Sequence, residues 1–149
     1  MSQINKILIP TDLSDVSQKG LEFGAMMARQ FDAAVILGYV VQDTMPPIMG
    51  TLPGDYPALM ERHSAIARET LEKTANTLRA DGIAVELDVR PGIPSVEIRE
   101  MAESHGVDLI VISSHGRGFI SRAILGSTTE RLVRQAKCPV LVVTDPRHE

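Results

Sequence analysis

The chain has a single cysteine, Cys138, among its 149 residues, so an intrachain disulfide framework is excluded. Cys138 stands before Pro139 and an apolar run, a setting that favours a small buried hydrophobic side chain over a reactive thiol. The N-terminus has no extended apolar segment, and no apolar run approaches the roughly 18 residues that span a bilayer. These absences argue against secretion and membrane insertion, and we expect a cytoplasmic protein.

Basic charge and aromatic side chains are also scarce. The formal net charge is -4 at pH 7, and the chain has no tryptophan, two tyrosines and three phenylalanines, so general nucleic-acid binding is disfavoured. The charge is nevertheless uneven, because residues 115–137 carry five Lys and Arg against Glu130 alone, a local +4 that leaves -8 for the rest. This basic segment favours a local anion site, with Arg117 as its best candidate cation. Arg131 and Arg134 are interpreted as solvated helix residues.

Apolar runs and amphipathic segments alternate along the chain, so that each strand is followed by a helix. Strands are predicted at residues 6–10, 34–41, 85–89, 109–113 and 140–144, and helices at 14–31, 58–81, 95–105 and 127–136. The Pro- and Gly-rich segment 43–57 is interpreted as a mobile loop, and Gly20 and Gly24 are predicted to let the first helix pack closely. The pattern predicts one α/β domain over residues 1–149. Its architecture is a single open five-stranded parallel sheet in the order 3-2-1-4-5 with helices on both faces, which is Rossmann-like.

Two motifs meet where the winding of this sheet reverses, between strands one and four. Strand one ends in Pro10-Thr11-Asp12, and strand four leads into residues 113–127, SSHGRGFISRAILGS, with glycines at 116, 118 and 126. Ser127-Thr128-Thr129-Glu130 has the signature of a helix start, with Ser127 as the N-cap. Backbone N–H groups freed by glycine, together with the positive end of that helix, suit an anion. The loop is therefore predicted to bind phosphate.

Two side chains at this crevice leave alternatives open. Asp12 either caps the first helix or, if Ser14 is the cap, is an acceptor for a ribose hydroxyl or an exocyclic amine. Ser127 can cap its own helix and still present backbone N–H groups to a phosphate.

The sequence has no constellation typical of metal binding or catalysis. The four histidines show no metal-ligand spacing and one cysteine completes no zinc site, so we predict no protein-ligated metal. A Walker A sequence, a nucleophile elbow and an evident general base are absent. His115 is interpreted as positioning the loop rather than acting as a base. We predict a binding protein and not an enzyme.

Several separate segments make the chain resemble the universal stress protein family across nearly its whole length. KILIPTDLS resembles the first strand of the family and its aspartate, VILGYV resembles the second strand, and HGRGFISRAILGSTTERLVRQAKCPVLVV is similar to the most recognisable segment of the family. Members that bind ATP carry Gly-x2-Gly-x9-Gly-Ser/Thr. Gly116, Gly126 and Ser127 fit the last three points of this motif, and Ser113 stands where the motif has glycine.

The resemblance implies a site for ATP, with any Mg²⁺ held by the phosphates, and AMP or another adenine nucleotide as a further ligand. Asp12 would meet the adenine or ribose, Val40 would offer its backbone to adenine, and the glycines with Ser127 and Thr128 would hold the phosphates. The predicted nucleotide-binding residues are Pro10, Thr11, Asp12, Val40, Gly92, Ser113, His115, Gly116, Arg117, Gly126, Ser127 and Thr128. Crowding by the Cβ and hydroxyl of Ser113 is expected to weaken binding and not to abolish it, because serine is small and its hydroxyl can donate to an oxygen. Ser113→Gly should then strengthen binding.

The family also tends to dimerise through its last strand, and the apolar edge from Val140 to Thr144 predicts a homodimer or a higher assembly. The resulting hypothesis is an ATP-binding stress-response or regulatory protein, in which the nucleotide biases loop 43–57 or the dimer surface. Two alternatives remain, a slow ATP hydrolase of the same fold and a nucleotide-free, partner-binding dimer.

Overall fold

The structure is a computed structural model and describes residues 3–42, 56–115 and 125–144. Within these residues strands and helices alternate, in the order β1 (Lys6–Pro10), α1 (Gln18–Phe31), β2 (Ala34–Gln42), α2 (Tyr56–Ala80), β3 (Val85–Gly92), α3 (Pro94–His105), β4 (Leu109–Ser113), α4 (Ser127–Gln135) and β5 (Val140–Val143). In the described part of the chain, no helix is long and apolar enough to cross a membrane.

The five strands form one sheet in the order β3-β2-β1-β4-β5, and every neighbouring pair is parallel. This confirms the predicted Rossmann-like architecture. The winding reverses between β1 and β4, which pair through Ile7–Leu109 and Leu8–Ile110. The carboxyl ends of β1 and β4 therefore face one crevice, as expected at a switch point.

Alternate strand residues enter two apolar cores, one on each face of the sheet. Ile7 and Ile9 of β1 enter the core shared with α1 and α2, whereas Leu8 enters the core shared with α3 and α4. All three side chains are fully buried. Because helices cover both faces, the central strands are apolar without polar alternation.

Helix α1 approaches the sheet closely at its two glycines, as predicted. A Cβ on Gly24 would lie 2.5 Å from Ile9 Cδ1, and a Cβ on Gly20 would lie 2.9 Å from the backbone nitrogen of Ser113. Both distances are shorter than ordinary van der Waals contact, so a larger residue at either position would require the Ile9 side chain or helix α1 to move.

Several predicted boundaries are wrong by a few residues. Helix α1 begins at Gln18 and not near Ser14, because a turn precedes it. Helix α3 begins at Pro94 with Ile93 as its N-cap, so Ser95 lies in its first turn and does not cap it. Within the predicted loop 43–57, residues 56 and 57 belong to α2, and the remainder lies outside the described residues.

Strand β3 is an edge strand, and polar residues alternate with Val85, Leu87 and Val89 along it. Asp88 accepts two hydrogen bonds of 2.8 Å from Arg90 and a third of 2.8 Å from Nε2–H of His105 in α3. Burial by itself raises the pKa of Asp88, but the hydrogen bonds and positive charge from Arg90 and His105 outweigh it and lower the pKa. This ion cluster ties the sheet edge to the end of α3.

Candidate functional site

A cavity of about 550 Å³ opens at the carboxyl ends of β1, β2 and β4. Its wall includes nine of the predicted site residues, which are Pro10, Thr11, Asp12, Val40, Ser113, His115, Gly126, Ser127 and Thr128. The sheet thus brings together side chains about 100 positions apart in the sequence.

Three of the predicted site residues are not among these nine. Gly116 and Arg117 lie outside the described residues. Gly92 is described, but it is absent from the cavity wall. It lies on the outer strand β3, where it pairs with Gln42 of β2. Its φ is +142°, and a Cβ at this position would lie 2.7 Å from Cγ of Glu97. Gly92 therefore has a conformational reason to be glycine.

Asp12 closes the turn between β1 and α1. One carboxylate oxygen, Oδ1, accepts hydrogen bonds from the backbone N–H of Ser14, at 2.9 Å, and from the Ser14 hydroxyl. Between them Leu13 has the left-handed φ of +67°, and its N–H donates to Thr11 Oγ1 at 3.1 Å. Asp12 is therefore not the N-cap of α1, which is Ser17. Its carboxylate already accepts hydrogen bonds from Ser14. It is held in an Asx turn beside the cavity.

The side chain of Ser113 is directed at the start of helix α1. Ser113 borders the cavity but is only 5% exposed. Its hydroxyl accepts a hydrogen bond of 3.0 Å from the N–H of Gly20 and donates one of 3.2 Å to the carbonyl oxygen of Ser17. The hydroxyl is therefore engaged by the start of α1, and the expectation that Ser113 crowds a bound nucleotide stays a prediction.

The opposite wall is the amino end of α4. The N-cap of α4 is Gly126 and not Ser127, and the Gly126 N–H donates to Ser114 O at 2.8 Å. Ser127 and Thr128 occupy the first two helical positions, where backbone N–H groups have no acceptor within the helix. These donors and the helix dipole suit an anion at this end of the cavity.

An apolar surface lies deeper in the same cavity. Val40, Ile98 and Ile112 are 8%, 5% and 7% exposed and contribute to the wall together with Pro94. A flat apolar group fits against such a surface, and the α4 end accommodates negative charge. The two ends of the cavity thus differ in chemistry.

The sequence did not single out the aromatic pair at the outer rim of the cavity. Tyr39 of β2 and His63 of α2 both border it, with the Tyr39 hydroxyl 3.5 Å from His63 Nε2 and the rings tilted by 59°. His63 lies in the part of α2 before Ala67, where no residue is buried. His63 falls inside the helix predicted at 58–81, but predicting the pair would also have needed the register of that helix against the sheet.

Within residues 3–42, 56–115 and 125–144, no group of three or more His, Cys, Asp or Glu side chains is placed to hold a metal ion. His115 accepts or donates a 3.1 Å hydrogen bond through Nδ1 with the adjacent Ser114 hydroxyl. This contact fits the interpretation of His115 as a loop-positioning residue.

Known proteins resemble this chain in sequence and in fold. Residues 3–144 match the Universal stress protein family. Universal stress protein MJ0531 from Methanocaldococcus jannaschii is 37% identical over 144 residues, which cover 97% of this chain and 84% of the relative. Universal stress protein UspA from Lactobacillus plantarum has a TM-score of 0.82 at 26% identity, over 96% of this chain and 99% of its own. A universal stress protein solved in complex with cAMP has a TM-score of 0.60 at 26% identity, over 96% and 98% of the two chains. The chain therefore belongs to the universal stress protein family.

Proposed function

We propose that this universal stress protein binds an adenine nucleotide in the cavity at the β1/β4 switch point and acts as a regulatory stress-response protein. The observation that carries the proposal is the combination of an apolar wall and a helix amino end in one cavity of about 550 Å³. A nucleotide has the matching parts, a flat base and a charged phosphate. The related protein in complex with cAMP supports an adenine ligand.

The proposed arrangement assigns one part of the nucleotide to each wall. The base lies against the apolar surface and meets the backbone of Val40, and the Asp12 turn, with Pro10 and Thr11, faces the ribose or the adenine amine. The phosphates lie at Ser127, Thr128 and the N-cap Gly126. We propose ATP as the ligand, with Mg²⁺ carried by its phosphates, and retain Gly92, Ser113, His115, Gly116 and Arg117 as further members of the site.

Calorimetric titration of the full chain with ATP and Mg²⁺, ATP alone, AMP and adenosine tests this proposal. The informative variant is Ser127→Asp, since Ser127 is exposed at the first position of α4 and the change places a carboxylate beside the proposed phosphates. Repulsion at close range should weaken ATP binding about tenfold or more, AMP binding less, and adenosine binding hardly at all. Thr77→Asp on the exposed surface of α2 adds the same charge away from the cavity and is the matched control.

The same titrations separate the rival functions. If the wild-type chain gives no heat with any adenine nucleotide, nucleotide binding is rejected and a nucleotide-free partner-binding dimer takes its place. Steady phosphate release from ATP that scales with protein and is lost in Asp12→Asn would instead indicate a slow ATP hydrolase.

We also propose that the chain forms a homodimer through the β5 edge. β5 is the last strand of the described sheet and all four of its residues are only partly buried. The two helices that contact β5 each carry an exposed apolar side chain, Phe23 of α1 at 39% and Val133 of α4 at 49% exposure. An apolar strand edge flanked in this way suits pairing with a second copy.

Sedimentation velocity over a range of concentrations tests the dimer. Val133→Glu alters an exposed side chain of α4, a helix that contacts β5, so the fold should survive while the dimer dissociates to monomer. Ile66→Glu changes an even more exposed apolar residue, 59% exposed on α2, and should leave the dimer intact. A monomeric wild-type chain at all concentrations, or a Val133→Glu variant that remains dimeric, contradicts this interface.

A further inference from the structure

A run of buried and partly buried hydroxyl groups connects three segments that border the cavity. Thr129 Oγ1 donates to the Ser113 carbonyl oxygen at 2.9 Å, and Ser113 Oγ donates to the Ser17 carbonyl oxygen at 3.2 Å. Ser17 Oγ in turn lies 2.9 Å from Thr11 Oγ1. We call these four residues, Thr11, Ser17, Ser113 and Thr129, the hydroxyl chain. It joins the β1–α1 turn, the end of β4 and the first turn of α4.

Three members of the hydroxyl chain are buried, Thr11 is partly buried, and all four hydroxyl groups make hydrogen bonds. Ser17, Ser113 and Thr129 are 7%, 5% and 3% exposed. Among the described residues, no buried side-chain oxygen or nitrogen lacks a hydrogen-bond partner. Hydrogen bonds between buried groups that have no competing water hold their geometry firmly.

Ser113 acts as a cap for α1 supplied from another element. The N-cap of α1, Ser17, makes no side-chain cap, because its hydroxyl donates to Ser14 O at 2.8 Å. Gly20 is the third helical residue, whose N–H has no acceptor within the helix and is the usual target of an N-cap side chain. Ser113 Oγ accepts from this N–H across the sheet face at 3.0 Å. A glycine at position 113 would leave the Gly20 N–H without that acceptor.

The β1–α1 turn depends on the same contact. Leu13 is held at φ +67° by its N–H bond to Thr11 Oγ1, and Thr11 Oγ1 is bonded to Ser17 at the start of α1. Hydrogen bonds through Ser17 thus link this turn, and Asp12 within it, to the contact of α1 with β4. On the other side, the Ser113 carbonyl oxygen fixes Thr129 in the first turn of α4.

We propose that Ser113 is a positioning residue for the nucleotide site. Its hydroxyl holds the Asp12 turn and its carbonyl oxygen holds the start of α4, so the base and ribose wall and the phosphate wall keep a fixed separation before ligand binds. This inference rests on the proposed function, and preorganisation of this kind strengthens binding by reducing the ordering that binding would otherwise require. Ser113→Gly should then weaken nucleotide binding, the reverse of what the sequence motif suggests.

The experiment uses the full chain with three variants and two readouts. Ser113→Ala removes the hydroxyl and keeps the Cβ, Ser113→Gly removes both, and Ser104→Ala removes a hydroxyl that bonds Arg90 and Met101 at the opposite end of α3. Calorimetry with AMP and ATP is run at a temperature where all variants are folded. Amide hydrogen exchange is measured by NMR without nucleotide.

We expect both Ser113 variants to bind AMP and ATP about five- to tenfold more weakly than wild type, the value of one lost hydrogen bond. Exchange should accelerate at Gly20 and also at Leu13 and Ser14 in the turn. Ser104→Ala should lose stability without a change in affinity, which separates positioning from a merely structural role.

Each other outcome has a defined meaning. Unchanged or tighter nucleotide binding by Ser113→Ala and Ser113→Gly overturns the inference while the proposed function stands. Acceleration confined to Gly20 also overturns it, because the turn would then be independent of Ser113. If wild type binds no adenine nucleotide but exchange accelerates at Leu13 and Ser14, the proposed function fails and the positioning of the turn by Ser113 is supported.

Discussion

Gly20→Ala tests a close approach between helix α1 and the sheet. The added Cβ would lie 2.7 Å from Ser113 Oγ and 2.9 Å from Ser113 N. The second atom belongs to the backbone of β4, which is paired with β1 on one side and β5 on the other. The strand cannot retreat, so α1 must lift from it.

The magnitude follows from three contributions to the free energy of unfolding. Overpacking at a buried contact costs about 1–3 kcal/mol. Displacement of α1 also weakens the bond from Gly20 N–H to Ser113 Oγ, worth about 1 kcal/mol. Replacing glycine by alanine inside a helix contributes about 1 kcal/mol in the favourable direction. We expect a net destabilisation of about 2 kcal/mol.

Urea unfolding followed by circular dichroism measures this change, which should lower the midpoint by about 1 M. Glu22 lies on the exposed side of the same helix, so Glu22→Ala compared with Glu22→Gly measures the helix-propensity difference without a packing change. A Gly20→Ala variant as stable as wild type, after that difference is subtracted, would refute the close approach of α1 to Ser113.

Two further predictions concern titratable groups away from the cavity. Asp88→Asn should lower the free energy of unfolding at pH 7 by about 2 kcal/mol, since it removes charge-assisted hydrogen bonds. The pKa of Asp88 is below its ordinary value of 3.8. The stabilisation by Asp88 is therefore present above that pH and is lost as the pH falls further. Urea midpoints of the two proteins should therefore converge below about pH 4, and a constant difference down to pH 3 would contradict the assignment. Burial, with the nearby carboxylate of Asp108, raises the pKa of the Cys138 thiol, so iodoacetamide should alkylate Cys138 at pH 7.5 about tenfold more slowly than a free thiol and faster as the pH passes 9. Alkylation of Cys138 at the rate of a free thiol would contradict the raised pKa of its thiol.

The fold was largely predictable because the apolar runs carry the topology. The uninterrupted apolar run at 34–41 indicates a strand that is packed against other elements on both faces. Because strands and helices also alternate along the sequence, few arrangements other than a doubly wound parallel sheet are possible. Helix starts were less predictable. Ser14 and Ser95 have the chemistry of an N-cap, but Ser14 bonds Asp12 in the preceding turn and Ser95 is buried in the first turn of α3. Local propensity does not distinguish these roles.

The sequence predicted which strand ends border the cavity, but not all of the side chains in its wall. Asp12 and Ser127 follow strand ends that topology places together, so their proximity needed no side-chain detail. Tyr39 and His63 were missed because they meet through α2, whose register against the sheet is set by Ala67 and Leu71 further along the helix. Gly92 is not part of the cavity wall, since its strand lies one position outward from β2.

The direction of the Ser113 side chain was accessible from the sequence, by a signal other than the motif. Strand side chains alternate between faces, and Leu109 and Val111 enter the core shared with α1, whereas Ile110 and Ile112 enter the core shared with α3 and α4. Position 113 has the parity of 109 and 111, so its side chain must face α1, away from the helix that offers its amino end to phosphate. The motif alone predicts that a serine at position 113 adds a Cβ and a hydroxyl that obstruct the ligand. The alternation of strand side chains instead places this hydroxyl against Gly20. A small polar side chain fits there only because residue 20 has no Cβ, so the residue types at positions 20 and 113 constrain each other.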